Sequence, residues 1–288
     1  MSFSPQLTRI TSKVITVSDP NGAIVFSCTI AFQYAGNEVG GGDIDGDNYD
    51  DLVIDTSGDY NRMFLIFGSA APQSILNIDN NGVLNGNNGV MFVGGNKDDY
   101  LRFGDNPFTC DVNNDTYDDI LTSESTYNSN AGIGLIIYGA PRSFWNSTNG
   151  IWDLRITPLT VATGISILSN PSSDGYYLGN SVGNTGDVNG DGISDFGIST
   201  YGLSDVGKIH IFFGRSSWPA TVNAWNIPAS DGFTISGSVA GEAAISFSLR
   251  SNTVGDLNAD GLPDTVIGAA HYLSYAGRVA VHWGGQCA

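Results

Sequence analysis

The sequence predicts an all-β fold in which one short-stranded sheet is repeated four times, and three observations predict it. The first is composition: the 288 residues are 41% hydrophobic but only 14% charged, with 38 glycines and 10 prolines. That mix suits short strands joined by tight turns, not long solvent-facing helices. The second is a recurring acidic pattern, Asp-x-Asp/Asn-x-Asp-x-x-x-Asp. It reads DIDGDNYDD at 43–51, DVNNDTYDD at 111–119, DVNGDGISD at 187–195 and DLNADGLPD at 256–264. The third is its regularity: the four starts lie 68, 76 and 69 residues apart, which marks repeat architecture.

The elements of each period follow in order. A β-type run comes directly after the acidic loop: LVIDT (52–56), ILTS (120–123), FGIST (196–200) and TVIGAA (265–270). Next comes a strand ending in aromatic-Gly: MFLIFG (63–68), GLIIYG (134–139), IHIFFG (209–214) and VAVHWG (279–284). After a linker, a glycine-led strand begins: GVMFVG (89–94), GISILS (164–169) and GFTISG (232–237). A further short strand, around 101–110, 177–186 and 245–255, leads into the next acidic loop. No segment reads as a convincing helix. Four-stranded antiparallel sheets repeated radially predict a β-propeller of four blades, with residues 1–288 forming one domain.

The last period lacks its glycine-led strand, and the chain before the first acidic loop holds one, GAIVFSC (22–28), preceded by KVITV (13–17). Residues from about 10 to 30 are therefore expected to complete the fourth blade, because that removes two open sheet edges. The same strand donated to a neighbouring molecule would instead build head-to-tail chains.

Hard oxygen ligands at alternating positions fit Ca²⁺, which takes six to eight of them. The expected side-chain ligands are Asp43, Asp45, Asp47 and Asp51 in the first loop and Asp111, Asn113, Asp115 and Asp119 in the second. In the third they are Asp187, Asn189, Asp191 and Asp195, and in the fourth Asp256, Asn258, Asp260 and Asp264. The seventh residue, Tyr49, Tyr117, Ile193 or Leu262, would offer its backbone carbonyl, so its side chain is free to vary. Position 12 is Ile54, Thr122, Ile198 or Ile267 inside a strand, so these are not EF-hands, which need a glutamate there and flanking helices. Mg²⁺ fits less well, since its strict octahedron rarely accepts an all-protein cage. Asn114 and Thr116 stand where the other loops have glycine or a small residue at position 4 or 6, so loop two is expected to be the more strained. The four loops hold 15 of the 29 acidic residues, and four divalent ions would offset eight of the 18 net negative charges.

The acidic loops, the following VIGAA (266–270) and Phe103-Gly104 resemble FG-GAP repeats, the units of the integrin α-chain head. The likeness runs over nearly the whole chain, specific in the loops and following strands and loose in the dipeptides. Leu178-Gly179 and Phe247-Ser248 replace the FG pair, and the first repeat has YAG at 34–36. The resemblance implies a propeller with about four Ca²⁺ ions at one face and ligands taken elsewhere. It also implies an extracellular or cell-surface protein, in keeping with the millimolar calcium found outside cells. Integrin heads carry seven such repeats against four here, and no ligand residue is carried over.

Other features bound the function. A formal charge of −18 and a pI near 4.1 argue against a nucleic-acid partner and against an anionic membrane surface. No run of 18 apolar residues suggests membrane insertion, and the N-terminal MSFSPQLTRITSKVITV lacks the apolar stretch of a secretory signal. The sequons at Asn114 and Asn146 allow a glycoprotein, the second in an exposed loop. No GxSxG, P-loop or HExxH motif occurs, and His210, His271 and His282 read as packed, edge or loop residues, so no catalytic residue is assigned. Trp145 and Trp152 are seven apart, as are Trp218 and Trp225; they either pack the linker against the blade or stack on sugars. Cys28 and Cys287 either bond to each other or stay free, and Cys110 reads as a buried small hydrophobe. The expected function is adhesion or interaction with a protein or glycan ligand. Self-association into a surface filament is the alternative, followed by a carbohydrate-active enzyme.

Overall fold

The computed structural model describes residues 35–56, 62–71, 78, 83–94, 108–125, 127–169, 177–200, 207–237, 255–269 and 277–285. The segment 10–30, Phe103-Gly104, Phe247-Ser248, His271, Cys28 and Cys287 lie outside the described residues, as does most of the strand expected around 245–255.

Those residues form four sheets, one per repeat. Sheet one runs β1 (Ala35–Gly42), β2 (Asp51–Thr56), β3 (Arg62–Ile66), β4 (Gly89–Val93), each antiparallel to the next. Sheet two runs β5 (Phe108–Cys110), β6 (Asp119–Glu124), β7 (Ile133–Ile137), β9 (Gly164–Leu168) in the same sense. Sheet three is β10 (Leu178–Gly186), β11 (Asp195–Thr200), β12 (Lys208–Phe212), β14 (Gly232–Ser236). Of sheet four, β15 (Thr265–Ala269) and β16 (Arg278–His282) are described. The order inner strand, post-loop strand, aromatic-Gly strand, glycine-led strand is the expected one.

Two additions depart from that expectation. The linkers within repeats two and three, between the aromatic-Gly strand and the glycine-led strand, each carry a three-residue strand, β8 (Ile151–Asp153) and β13 (Thr221–Asn223). These pair in parallel with β4 and β9, the outer strands of the preceding sheets. Two short helices also form, α1 (Tyr127–Asn130) and α2 (Arg142–Ser147), where no helix was expected. Both are single turns in connecting segments, too short to leave a 3.6-residue pattern.

The middle strands of sheets one to three are buried on both faces, because successive residues of a strand point to opposite sides and each side packs. Met63, Leu65 and Phe67 face forward and pack with Ile133, Leu135 and Ile137 of sheet two. Ile136 and Tyr138, facing forward from sheet two, pack with Phe196 and Phe212 of sheet three. Ile209, Ile211 and Phe213 continue to Ile267 of sheet four. Strands buried on both faces read as continuous apolar runs, as MFLIF and GLIIY do.

The tryptophans complete these contacts. Trp145, on α2, is fully buried between sheets one and two, ringed by Phe67, Phe92, Phe144 and Trp152 at 5.1–6.2 Å between ring centroids. Its indole N–H donates to the Ala140 carbonyl at 2.6 Å. Trp218 is its counterpart one interface later, against Phe196 and Phe212. Both pack and neither offers a ring face to solvent, so a sugar-stacking role is excluded for these two. Cys110 is a buried free thiol, its pKa raised by burial.

Candidate metal centres

Each of the first three acidic loops joins an inner strand to the strand that follows, the fourth leads into β15, and a nine-residue connection must turn sharply. Positions 4 and 6 supply the turn: all eight residues there have positive φ. They are Gly46 (74°) and Asn48 (67°), Asn114 (60°) and Thr116 (78°), Gly190 (79°) and Gly192 (90°), Ala259 (61°) and Gly261 (94°). Loop two puts a β-branched residue in this region, so it is strained as expected.

The carboxylates then turn inward on the loop backbone in one repeated pattern. The first-position Asp accepts from the backbone N–H of positions 5 and 6: Asp43 from Asp47 and Asn48, Asp111 from Asp115 and Thr116. Asp187 and Asp256 do the same with Asp191 and Gly192 and with Asp260 and Gly261, at 2.7–3.0 Å. The third-position oxygen also accepts from the N–H of position 5, and the fifth from the N–H of position 7, in all four loops. Twelve side chains of two types, Asp and Asn, thus hold one geometry in four places.

The ninth-position Asp does something different. Asp51, Asp119, Asp195 and Asp264 are all at most 3% exposed. One oxygen of each accepts from the N–H of the second loop residue (Ile44, Val112, Val188, Leu257) at 2.7–3.0 Å. The other accepts from the glycine of the aromatic-Gly pair (Gly68, Gly139, Gly214, Gly284) at 2.7–3.0 Å. A Cβ on any of those glycines would lie 2.3–2.6 Å from the carbonyl oxygen at loop position 8, so only glycine fits there. Burial lifts Asp51 and Asp195 to about 7 and Asp119 to about 8, against the pull of their backbone donors. A cation nearby would favour the ionised forms.

Loop one differs in its third residue. In loops two to four the Asn amide there donates to the fifth-position carboxylate at 2.8–2.9 Å (Asn113 to Asp115, Asn189 to Asp191, Asn258 to Asp260). Asp45 has no such donor, and the guanidinium of Arg142 enters instead. It bonds Asp45 and, at 2.9 Å, Asp47, while lying 4.0 Å over the Phe67 ring. Burial still holds the Asp45 pKa above the usual carboxylate range. Carboxylate oxygens of Asp43, Asp45 and Asp51 all come within 4.8 Å of one another. An all-oxygen donor set crowded with like charge fits a hard divalent cation such as Ca²⁺.

The sequence pattern carried no sign of Arg142, of Asp118 or of the next-sheet bonds. Arg142 lies 97 residues from Asp45. Asp118 accepts from the Asp43 N–H at 3.0 Å, across the first interface. The second-position carbonyl of loops one to three accepts from the residue after the next aromatic-Gly pair: Ile44 from Ala140, Val112 from Arg215, Val188 from Gly285, at 2.8–3.0 Å. Loops one to three are thus each tied to the sheet that follows. Of the histidines, His210 is buried with its ring nitrogens 3.0 Å from Thr200 Oγ1 and Thr234 Oγ1, and His282 stacks on Phe233. Compared with known proteins, the chain matches no family model and no curated sequence.

Proposed function

We infer that the chain is a calcium-stabilised β-propeller of four blades, acting outside the cell or at its surface as an adhesion or interaction module for a protein or glycan. The observation that carries this reading is the equivalence of the four loops. One hydrogen-bond skeleton recurs despite different residues at most other positions, and each copy is tied to its own sheet through the ninth-position Asp. Calcium would be held by the carboxylates and Asn carbonyls at positions 1, 3, 5 and 9 and by the position-7 carbonyls. It would supply charge neutralisation at loops that join neighbouring blades. The residues themselves already orient the oxygens and bury the ninth-position carboxylate in every loop.

Because the ions bind the folded chain, their removal lowers stability by mass action. Chelation is expected to drop the melting temperature by on the order of 10 °C or more, from several kcal/mol spread over four sites. Scanning calorimetry in calcium and in excess chelator measures this, and an unmoved transition sinks the reading. Ligand classes are then sorted on glycan and protein arrays in calcium.

A second reading, a structural protomer joined to its neighbours by N-terminal strand exchange, is favoured by one observation. Val279 and Val281 on β16 are 70% and 39% exposed. Solution mass in calcium separates the readings: a monomer supports the module, a concentration-dependent ladder the protomer. A carbohydrate-active enzyme is the third class, with no residue given a catalytic role.

A further inference from the structure

Loop one stands apart from the other three in its charge and in what offsets that charge. Position 3 is Asn113, Asn189 or Asn258 in loops two to four but Asp45 in loop one. The side chains at positions 1, 3, 5 and 9 therefore carry −4 in loop one, as four Asp, and −3 in each of the others, as three Asp and one Asn. In loops two to four the Asn amide donates to Oδ2 of the fifth-position Asp. In loop one that same oxygen, Oδ2 of Asp47, accepts from Nη2 of Arg142 at 2.9 Å, while Nε of Arg142 donates to Oδ2 of Asp45. The remaining oxygens keep the common pattern: Oδ1 of Asp45 accepts from the Asp47 N–H, and Oδ1 of Asp47 from the Tyr49 N–H. Arg142 thus delivers the N–H that asparagine supplies elsewhere. It also brings one positive charge, which returns −4 to the −3 of the other loops.

The guanidinium is held in place from several sides. Nη1 donates to the Asn87 carbonyl at 2.6 Å, and the guanidinium carbon lies 4.0 Å from the Phe67 ring centroid. Arg142 opens α2, whose Trp145 is fully buried in the seam between sheets one and two. Two residues before Arg142, the Ala140 N–H donates to the Ile44 carbonyl at 3.0 Å. The backbone on both sides of Arg142 is therefore anchored, and a planar fork with fixed donors meets two carboxylates at once. Loops two and three lack this arrangement. The residue equivalent to Ala140 is Arg215 at loop two, but its guanidinium pairs with Asp231 at 2.9 Å and lies 4.1 Å from the Trp218 ring centroid. At loop three the equivalent residue is Gly285.

We propose that Arg142 is a tethered cation for loop one: it keeps the loop in shape without a metal ion and lowers the loop's affinity for a divalent cation. A divalent ion entering this loop meets the guanidinium charge across the same carboxylates, and like charges at such range repel. Two of the oxygens it would use are on groups that already accept from Arg142. Calcium affinity follows the charge of the ligand set, so an internal +1 beside four carboxylates offsets the gain that the extra Asp would give. Loops two and three have no internal cation on these oxygens and draw theirs from solution. The joint between sheets one and two then depends on calcium less than the joints that follow. This inference rests on the calcium reading above and assigns loop one its own place within it.

Amide hydrogen exchange of the full chain across buffered free calcium, read on peptides covering each loop, gives a calcium midpoint loop by loop. Arg142→Gln is expected to move the loop-one midpoint to roughly tenfold lower calcium while loop three stays where it was. Asp45→Asn, which keeps Arg142, is expected to move it about tenfold higher. The double variant Asp45→Asn with Arg142→Gln reproduces the ligand set of loop three and is expected to return it to within about threefold of wild type. In chelator, Arg142→Gln is expected to cut the protection of the Asp47 and Asn48 amides about fivefold, with loop three unchanged. An unmoved or raised loop-one midpoint in Arg142→Gln, a double variant no tighter than Asp45→Asn, or undiminished protection in chelator overturns the proposal and leaves the calcium reading standing. Should Arg142→Gln fail to fold, the double variant against Asp45→Asn decides alone. No calcium response in any loop of any of these proteins overturns the calcium reading and this proposal together.

Discussion

At the scale of single residues, the eight left-handed positions show how a loop can keep one shape with different side chains. Glycine reaches positive φ at no cost and asparagine at little, whereas a β-branched residue stores roughly 1–3 kcal/mol of strain. Thr116, at φ 78°, therefore weakens loop two. Replacing it (Thr116→Gly) is expected to stabilise the protein by about 1 kcal/mol, and the reverse change Gly192→Thr in loop three to destabilise it comparably. Melting curves of the two variants check both signs. His210 makes the other residue-scale prediction. Burial, then the charge of Lys208, lowers its pKa to about 4, below the ordinary value near 6.5. The unfolded chain then binds the proton more readily, so the stabilisation is complete above about pH 6.5 and is lost as pH falls toward 4. Wild type should lose about 3 kcal/mol more than His210→Gln between pH 7 and pH 4 by denaturant unfolding. The oxygen-bearing positions of the loops were legible because spacing alone puts alternate side chains on one side of a turn. Arg142 was not, since a cation 97 residues away in sequence reaches Asp45 only through the packing of sheet two on sheet one.

At the scale of elements, the four strand classes were readable from their edges: a glycine that must meet a carbonyl, an aromatic that closes a face, and an apolar run between. The parallel additions β8 and β13 were not. Each is three residues long and pairs with a strand of the preceding sheet, so its local sequence carries no period of its own. Trp145 shows what these linkers contribute. The α2 turn drives a fully buried indole between two sheets, where it meets four other rings. Trp145→Ala should cost about 3–5 kcal/mol, as large-to-small changes at well-packed aromatic sites do. Trp225→Ala, at a site 46% exposed, should cost under about 1 kcal/mol. Equal losses in urea unfolding would contradict this division of roles.

At the scale of the whole molecule, electrostatics and sheet packing are coupled. About half the acidic residues sit in four loops, and those loops are where each sheet bonds to the next, through Ile44, Val112 and Val188. Without a bound cation, like charge accumulates at the joints. In chelator, raising monovalent salt from about 0.02 to 0.5 M should therefore raise the melting temperature by several degrees, because the Debye length falls below the spacing of the carboxylates. With calcium present the same change should have a smaller effect. A larger response in calcium than in chelator would show that the repulsion lies outside the loops.

The sequence by itself determined the repeat, its strands and the oxygen-bearing turn, because each of these depends on residues within about twenty positions of one another. The tertiary structure alone decided which sheet faces which, that Trp145 and Trp218 fill the seams between sheets, and that Arg142 pairs with Asp45 and Asp47 of loop one. It also decided that the ninth-position Asp clamps its own sheet, and that Val279 and Val281 of β16 are exposed where Ile209 and Ile211 of β12 are buried. Those outcomes are set by contacts between distant segments, whose energies exist only after the chain has folded and water has left the interface.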